Sequence, residues 1–276
     1  MKFVKMSGAG NDFMIVDRTA PSAEPGLSST VIAALCRRGL SVGADGFIEI
    51  LPDPDASFAM RYYNSDGGEA DMCGNGGRCA AVFAASAGYA PGSERFSFRS
   101  GAGLHYAQVT GPSSARIWMT EPVPGFLAEE LLTPDGLSVS VSFADTGVPH
   151  AVLYPPDSTD HDFTSVAPAL RAHPKFGSSG ANVDFVFPAD RTSITLRTWE
   201  RGVEGETLAC GTGAVAAVLC GCRLDMLDLP VDVHVKSGLT LKVGKDPAGW
   251  WLEGEARMVY CAELLDRSPE SLTVDP

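Results

Sequence analysis

The sequence contains one short pattern twice, and this duplication limits the folds open to the chain. Residues 73–83 read CGNGGRCAAVF, and residues 210–219 read CGTGAVAAVL. Each copy consists of a cysteine, a Gly-x-Gly and an almost wholly apolar run, which predicts a helix buried on all sides. The glycines at its start leave the first backbone N–H groups of that helix open to a ligand.

The similarity extends upstream of both cysteines. Glu69 lies four residues before Cys73, and Glu206 lies four residues before Cys210. An apolar, strand-like stretch that ends in an aromatic residue precedes each glutamate, and a glycine-containing turn separates the two. Strand, loop, cysteine and helix therefore occur once in each half, which indicates two related lobes.

The remaining pattern is one of short β-type runs separated by turn residues, typical of antiparallel sheets. Many strands and two central helices predict an α+β architecture. Residues 121–125 read EPVPG, and their prolines and glycine mark the crossing between lobes. We expect an N-terminal lobe over 1–122, a C-terminal lobe over 123–261, and a tail at 262–276 that packs on the first lobe.

Charge, apolar runs and cysteine spacing exclude several kinds of partner and compartment. The formal net charge of −13 over 276 residues argues against nucleic acid and anionic membranes as partners, because both require a basic surface. No apolar stretch reaches the length of a membrane span. Seven cysteines at irregular spacings do not resemble a secreted disulfide framework. We therefore expect a cytoplasmic protein whose thiols stay reduced.

A cysteine just before a helix N-terminus lies where the helix dipole favours negative charge, so we expect a lowered thiol pKa. The free N–H groups of the same turn can hold a carboxylate. If both lobes present this arrangement to one cleft, two thiols a few ångströms apart flank one carbon. That geometry suits inversion next to a carboxylate, with Cys73 and Cys210 as the acid and base and with no cofactor or metal.

Other interpretations of the cysteines remain open. A free cysteine is most often a small buried hydrophobe. The cysteine spacings do not match a zinc site, and no C-x-x-C occurs for a redox dithiol. Nucleophilic catalysis by a cysteine with His150 as base leaves the second cysteine unused. The alternative from a different class is a non-catalytic thiol or metal-binding protein.

Five separated segments carry a resemblance to a known family. Residues 64–78 and 199–214, which contain the two cysteines, resemble the two signatures of the diaminopimelate epimerases. Three further stretches match in the same order along the chain: 6–13, 147–152 and 182–186.

The resemblance implies a cofactor-independent enzyme that interconverts LL- and meso-diaminopimelate for lysine and peptidoglycan synthesis. It implies two pseudo-symmetric lobes, each a mainly antiparallel sheet wrapped around a central buried helix, and a homodimer. Cys73 would donate and Cys210 accept the proton from LL to meso, with Glu200 and His150 beside them. The resemblance further assigns substrate contacts to the side chains of Asn11, Asn64, Asn182 and Arg201 and to the backbone of Gly74, Asn75, Gly211 and Thr212.

Three positions depart from common family residues. Gly46 and Val148 stand where some members have glutamine and asparagine, and Gly68 stands where serine is usual. These changes affect recognition of the distal end of the substrate and leave the cysteine pair intact. The alternative within enzymes is therefore a racemase of another amino acid, such as histidine, on the same scaffold.

Overall fold

The computed structural model describes residues 1–20, 26–155 and 160–265. Contacts within the chain divide it into two compact parts. Unit 1 comprises Met1–Ile117 together with the described residues from Glu253 onward, and unit 2 comprises Trp118–Leu252.

Unit 1 is built from nine strands and two helices within its described residues. The strands are β1 (Lys2–Gly8), β2 (Asn11–Asp17), β3 (Gly46–Leu51), β4 (Phe58–Asn64), β5 (Glu69–Ala70), β6 (Phe96–Ser100), β7 (Gly103–Gly111), β8 (Ser114–Trp118) and, from the end of the chain, β19 (Arg257–Glu263). The helices are α1 (Ser29–Cys36) and α2 (Gly74–Ser86).

Unit 2 contains nine of the intervening strands, the first part of a tenth, and two more α-helices among its described residues. The strands are β9 (Val123–Pro124), β10 (Glu129–Leu132), β11 (Ser138–Asp145), β12 (Pro149–Leu153), β13 (Asn182–Asp190), β14 (Ser193–Glu200), β15 (Gly205–Glu206), β16 (Val231–His234), β17 (Thr240–Asp246) and β18 (Gly249–Glu255). The helices are α3 (Asp160–Arg171) and α4 (Gly211–Arg223), and a short 3-10 turn covers Pro174–Phe176.

The two units share one strand topology. In unit 1, β2 pairs with β3 and β4 pairs with β6 in parallel. In unit 2, β12 pairs with β13 and β14 pairs with β16 in parallel. The other described pairs are antiparallel, so the mainly antiparallel α+β prediction is confirmed. A helix-containing connection accounts for each parallel pair, because a crossover brings the next strand back in the same direction.

Each unit surrounds one helix. The buried residues of α2 run without a break from Asn75 to Ala84, and those of α4 run from Gly213 to Gly221. Small side chains dominate both stretches, which lets strands pack closely around the helix. The two buried helices predicted from the repeated apolar runs are therefore confirmed.

The first and last described strands pair with each other in unit 1. Strand β19 pairs antiparallel with β1, with Lys2 opposite Glu263. Ala262 and Leu264 pack against the apolar cluster that contains Phe47. This pairing draws the chain from Glu253 onward into unit 1, whereas the sequence analysis divided the lobes after residues 122 and 261. Residues 266–276 of the expected tail lie outside the described residues.

No helix in the described part of the chain has the length and hydropathy needed to cross a membrane.

Two thiols of the central helices make stability depend on pH. Burial raises the pKa of Cys79 and of Cys220 from 9.0 to about 12. The unfolded chain loses these protons near pH 9 while the folded chain keeps them, so stability falls as pH rises above 9. Between pH 8 and pH 10 we expect urea unfolding to show a loss of about 1.4 kcal/mol per thiol. In Cys79→Ala the loss should be smaller by that amount, and an unchanged loss would contradict the assignment.

Candidate functional site

In each unit the cysteine of the repeat caps the central helix. Cys73 has an extended backbone, and its Sγ accepts from the N–H of Gly76 at 3.5 Å. Cys210 has nearly the same backbone angles, and its Sγ accepts from Gly213 at 3.4 Å. A thiol here takes the place of the hydroxyl or carboxylate that usually caps a helix. The duplicated sequence therefore produces a duplicated local structure.

The backbone N–H groups next to each cysteine belong to the first turn of a helix, where no carbonyl of the same helix can accept from them. In unit 1 these belong to Gly74 and Asn75, and in unit 2 to Gly211 and Thr212. Donors of this kind, at the positive end of a helix dipole, bind carboxylates well. Each unit thus pairs a thiol with the start of an anion site.

Two predicted substrate contacts of unit 1 lie together beside Cys73. The side-chain amide of Asn75 donates to Oδ1 of Asn11 at 2.7 Å, and Asn11 in turn donates to Oδ2 of Asp45 at 3.2 Å. The asparagines therefore hold each other in fixed orientations. Asn64 is exposed at the end of β4, where its backbone N–H donates to the carbonyl of Gly68 at 2.9 Å.

The departure at Gly46 has a clear steric reason. A Cβ built on Gly46 would lie 2.6 Å from Cε2 of Tyr62 and 3.1 Å from its hydroxyl oxygen. The ring of Tyr62 thus fills the space that a longer side chain at position 46 would need. The hydroxyl of Tyr62 is also among the groups that lower the pKa of the Cys73 thiol, against the larger effect of burial, which raises it. A phenol from β4 therefore occupies the space beside Gly46 on β3.

Unit 2 surrounds Cys210 with a connected set of polar groups. The hydroxyl of Thr212 lies 3.4 Å from Sγ of Cys210 and 3.1 Å from Nε2 of His150. Nδ1 of His150 lies 2.6 Å from Oδ2 of Asp184, and both side chains are fully buried. The structure thus links His150 to Cys210 through one hydroxyl.

The remaining predicted residues of unit 2 join the same network. Asn182 lies 3.3 Å from Nε2 of His150 and accepts the backbone N–H of Arg201 at 2.8 Å. The guanidinium of Arg201 makes one contact among the described residues, from Nη1 to the carbonyl of Gly180 at 3.3 Å. Glu200 accepts a hydrogen bond from the hydroxyl of Thr207 at 2.7 Å.

The expectation of a lowered thiol pKa is wrong for both cysteines. Burial raises the pKa of Cys73, although hydrogen bonds from the helix N–H groups and the charge of Arg78 act in the opposite direction. Burial raises the pKa of Cys210 further above its ordinary value, and the nearby carboxylates of Glu200 and Asp184 add to the rise. Desolvation outweighs the helix dipole both at Cys210, which is buried, and at Cys73, which is partly buried.

Sequence reasoning did not single out three residues of these sites: Asp184, Thr198 and Arg78. Asp184 accepts the hydroxyl of Thr198 at 2.6 Å, and Arg78 donates to Oδ1 of Asn75 at 2.6 Å from inside helix α2. The sequence carried a signal at Asp184 and Arg78, because each is a charged residue within an apolar run. Burying a charge is costly unless it is paired or hydrogen-bonded. No group of three or more metal-ligating side chains occurs among the described residues.

Comparison with known proteins gives a consistent result. The model of the diaminopimelate epimerase family matches residues 3–123 and 142–259. The diaminopimelate epimerase of Chlorobaculum tepidum is 40% identical over 261 residues, which cover 92% of this chain and 98% of that protein. The diaminopimelate epimerase of Aquifex aeolicus is 37% identical and covers 96% of this chain, with 98% of its own length matched.

Solved structures of lower identity share the fold. A probable proline racemase from Agrobacterium radiobacter is 16% identical with a TM-score of 0.69, and the match covers 98% of this chain and 95% of that one. A PhzF-family phenazine biosynthesis protein from Bacillus anthracis is 16% identical with a TM-score of 0.70, covering 96% and 99%. These likenesses show the fold alone, whereas the full-length sequence matches settle the family. The chain belongs to the diaminopimelate epimerase family.

Proposed function

We propose that this protein interconverts LL- and meso-diaminopimelate with Cys73 and Cys210 as its two acid/base groups. The observation that carries the proposal is the matched pair of cysteine-capped helices, one in each unit, in a chain of this family. Inversion at one carbon needs a base on one face and an acid on the other, and a duplicated thiol supplies both.

From LL to meso, the thiolate of Cys210 takes the α-proton, and the electron pair of the C–H bond moves toward the substrate carboxylate. The thiol of Cys73 then delivers its proton to the opposite face of the carbon. Backbone N–H groups at Gly74, Asn75, Gly211 and Thr212 hold the carboxylate while it gains charge. A buried thiolate is a strong base, which suits a weakly acidic C–H bond.

Recognition of the distal end of the substrate falls to Asn11, Asn64, Asn182 and Arg201 in this proposal. Arg201 supports the assignment because its guanidinium keeps most of its donors without a partner among the described residues. A guanidinium offers a rigid donor fork that matches a carboxylate. Asparagines provide both donors and acceptors for an amino acid group. Glu200 and His150 complete the site beside the reacting amine and thiols.

The reaction can be tested by proton exchange. Purified protein incubated in deuterated water with LL-diaminopimelate should give meso-diaminopimelate labelled at one α-carbon. Incubation with L-histidine under the same conditions should give no label. Deuterium that enters only histidine would favour the racemase alternative. Exchange with neither substrate would favour a non-catalytic thiol protein.

We further propose a homodimer formed through β19 of unit 1. Three consecutive apolar residues on this strand are exposed: Met258 by 36%, Val259 by 45% and Tyr260 by 46%. An apolar cleft of about 500 Å³ lies beside them and includes Phe3 and Phe83. A second copy of this chain is a suitable partner for this patch, because in a two-fold interface the same surface of each copy is in contact.

The homodimer proposal predicts that Tyr260→Asp shifts the mass measured by light scattering from dimer to monomer. A charge placed in the apolar contact would lose its solvation and have no partner there. Leu104→Asp is the matched control, because Leu104 is 47% exposed on β7 of the same unit. A parent protein that is already monomeric would overturn the proposal.

The seven free cysteines support a reducing compartment such as the cytoplasm.

A further inference from the structure

Asp184 is a fully buried carboxylate to which the proposed reaction assigns no step. It lies on β13 and accepts hydrogen bonds from His150 and Thr198, each at 2.6 Å. A Cβ built on Gly213 would lie only 2.5 Å from Oδ1 of Asp184. The carboxylate therefore lies directly against the first turn of α4, the turn that Cys210 caps.

The corresponding place in unit 1 is apolar. Ile48 pairs with Tyr62 across β3 and β4 in the way that Asp184 pairs with Thr198 across β13 and β14. A Cβ built on Gly76 would lie 3.1 Å from Cδ1 of Ile48. The duplicated scaffold thus holds a methyl group under α2 and a carboxylate under α4.

A second difference between the two units also concerns the charge near the thiol. Five residues after Cys73 lies Arg78, and five residues after Cys210 lies Val215. Arg78 is fully buried, and its Nε and Nη1 have no partner among the described residues. Unit 1 therefore places a positive charge near its thiol, whereas unit 2 places a negative one.

Hydrogen-bond directions in unit 2 assign the proton of His150. The N–H of Arg201 occupies Oδ1 of Asn182, so the amide NH2 of Asn182 faces Nε2 of His150. An NH2 group can only donate, so Nε2 is an acceptor. The ring proton then lies on Nδ1 and is donated to Asp184. The contact with Asp184 thus fixes the orientation of the His150 ring and places a proton on Nδ1.

We propose that Asp184 is a positioning residue that makes Cys210 the harder of the two thiols to deprotonate in the free protein, so that Cys73 loses its proton first. The hydroxyl of Thr212 lies between Nε2 of His150 and Sγ of Cys210 and so connects the thiol to the imidazole that Asp184 holds. The charge of Asp184 at the start of α4 also opposes the helix dipole that would otherwise favour a thiolate at Cys210.

The charged and titratable surroundings support this order. Asp184 interacts with His150 on β12, with Tyr154, and with Cys210 and Cys220 at either end of α4. Burial raises the pKa of both thiols, and at Cys210 the carboxylates of Glu200 and Asp184 add to that rise. At Cys73 the charge of Arg78 and the hydroxyl of Tyr62 oppose it.

This order has a consequence that rests on the proposed function. When the pair loses one proton, the thiolate at Cys73 and the thiol at Cys210 are the base and acid for the meso-to-LL direction. This singly ionised form is therefore ready for the meso isomer. It must exchange the two protons before it can act on the LL isomer.

The test is alkylation of the whole protein with iodoacetamide from pH 6 to pH 10, with the peptides of each cysteine quantified by mass spectrometry. The pH midpoint of the reaction reports the thiol ionisation, whereas the absolute rate also depends on access. We expect a lower midpoint for Cys73 than for Cys210. In Asp184→Asn we expect the Cys210 midpoint to fall by about one pH unit, a tenfold rise in thiolate below the midpoint.

Asp190→Asn is the matched control, because Asp190 is an exposed carboxylate on the same strand. It should leave both midpoints in place. Equal or reversed midpoints in the parent protein would overturn the proposal without any variant, so the test does not depend on the folding of Asp184→Asn. An unmoved Cys210 midpoint in folded Asp184→Asn would also overturn it. Epimerase activity is measured separately, and its absence beside the expected midpoints would reject the proposed function alone.

Discussion

Serine at position 73 or position 210 is expected to lower kcat/KM for diaminopimelate by about 10³-fold or more. A hydroxyl fits the space of a thiol but ionises far less readily, so the base or the acid of the reaction is lost. Each cysteine acts in both directions, and each single variant should fail from either isomer. The measurement is the rate of interconversion followed by chiral chromatography.

Cys222→Ser is the matched control for these variants. Cys222 lies in α4, twelve residues after Cys210. It is only partly buried, and it takes no part in the N-terminal cap that Cys210 forms. Its replacement should leave the rate within a few-fold of the parent. Retention of more than a tenth of the activity in Cys73→Ser or Cys210→Ser would sink the two-thiol mechanism.

Alanine at Gly67 is expected to lower the free energy of unfolding by about 3 kcal/mol or more. Gly67 has a φ of +83°, and a Cβ there would lie 2.0 Å from the carbonyl oxygen of Ser29 at the start of α1. A left-handed backbone already disfavours a side chain, and the overlap with a backbone atom cannot be relieved by a rotamer change. Urea denaturation measures the loss.

Gly88→Ala separates the two causes of that loss. Gly88 has almost the same backbone angle, with a φ of +81°, but no atom lies within 4 Å of the position of its Cβ. It should therefore lose only the backbone contribution, about 1 kcal/mol. Equal losses in the two variants would show that the contact with Ser29 carries no cost. Because Gly67 lies in the loop that leads to Cys73, its variant should also lose activity.

The local backbone structure at the two cysteines could be predicted well from the sequence. The caps at Cys73 and Cys210 depend on a cysteine, two glycines and an apolar run that lie close together in the chain, and the structure has them as expected. The parallel strand pairs could not be predicted in the same way. They join residues such as His150 and Asn182, which are separated by the connection that contains α3.

The electrostatics of the sites depended on long-range packing and were therefore missed. Whether a thiol at a helix N-terminus is acidic depends on how completely the rest of the unit excludes water from it, and burial decided the direction at both cysteines. The contact between His150 and Asp184 arises only when β12 and β13 align. The space beside Gly46 is filled by Tyr62, a partner that the glycine itself does not indicate.

The pairing of β1 with β19 has a consequence for synthesis of the chain. On the ribosome, β1 and its neighbour β2 are made early, but the second partner strand of β1 is made only when residues 257–263 appear. Unit 2 is continuous in sequence, so all of its strands are available before that point. Nascent chains should accordingly fold unit 2 before β19 is available, so that one edge of β1 stays unpaired until then. Truncation before residue 257 would leave that edge exposed in the finished protein.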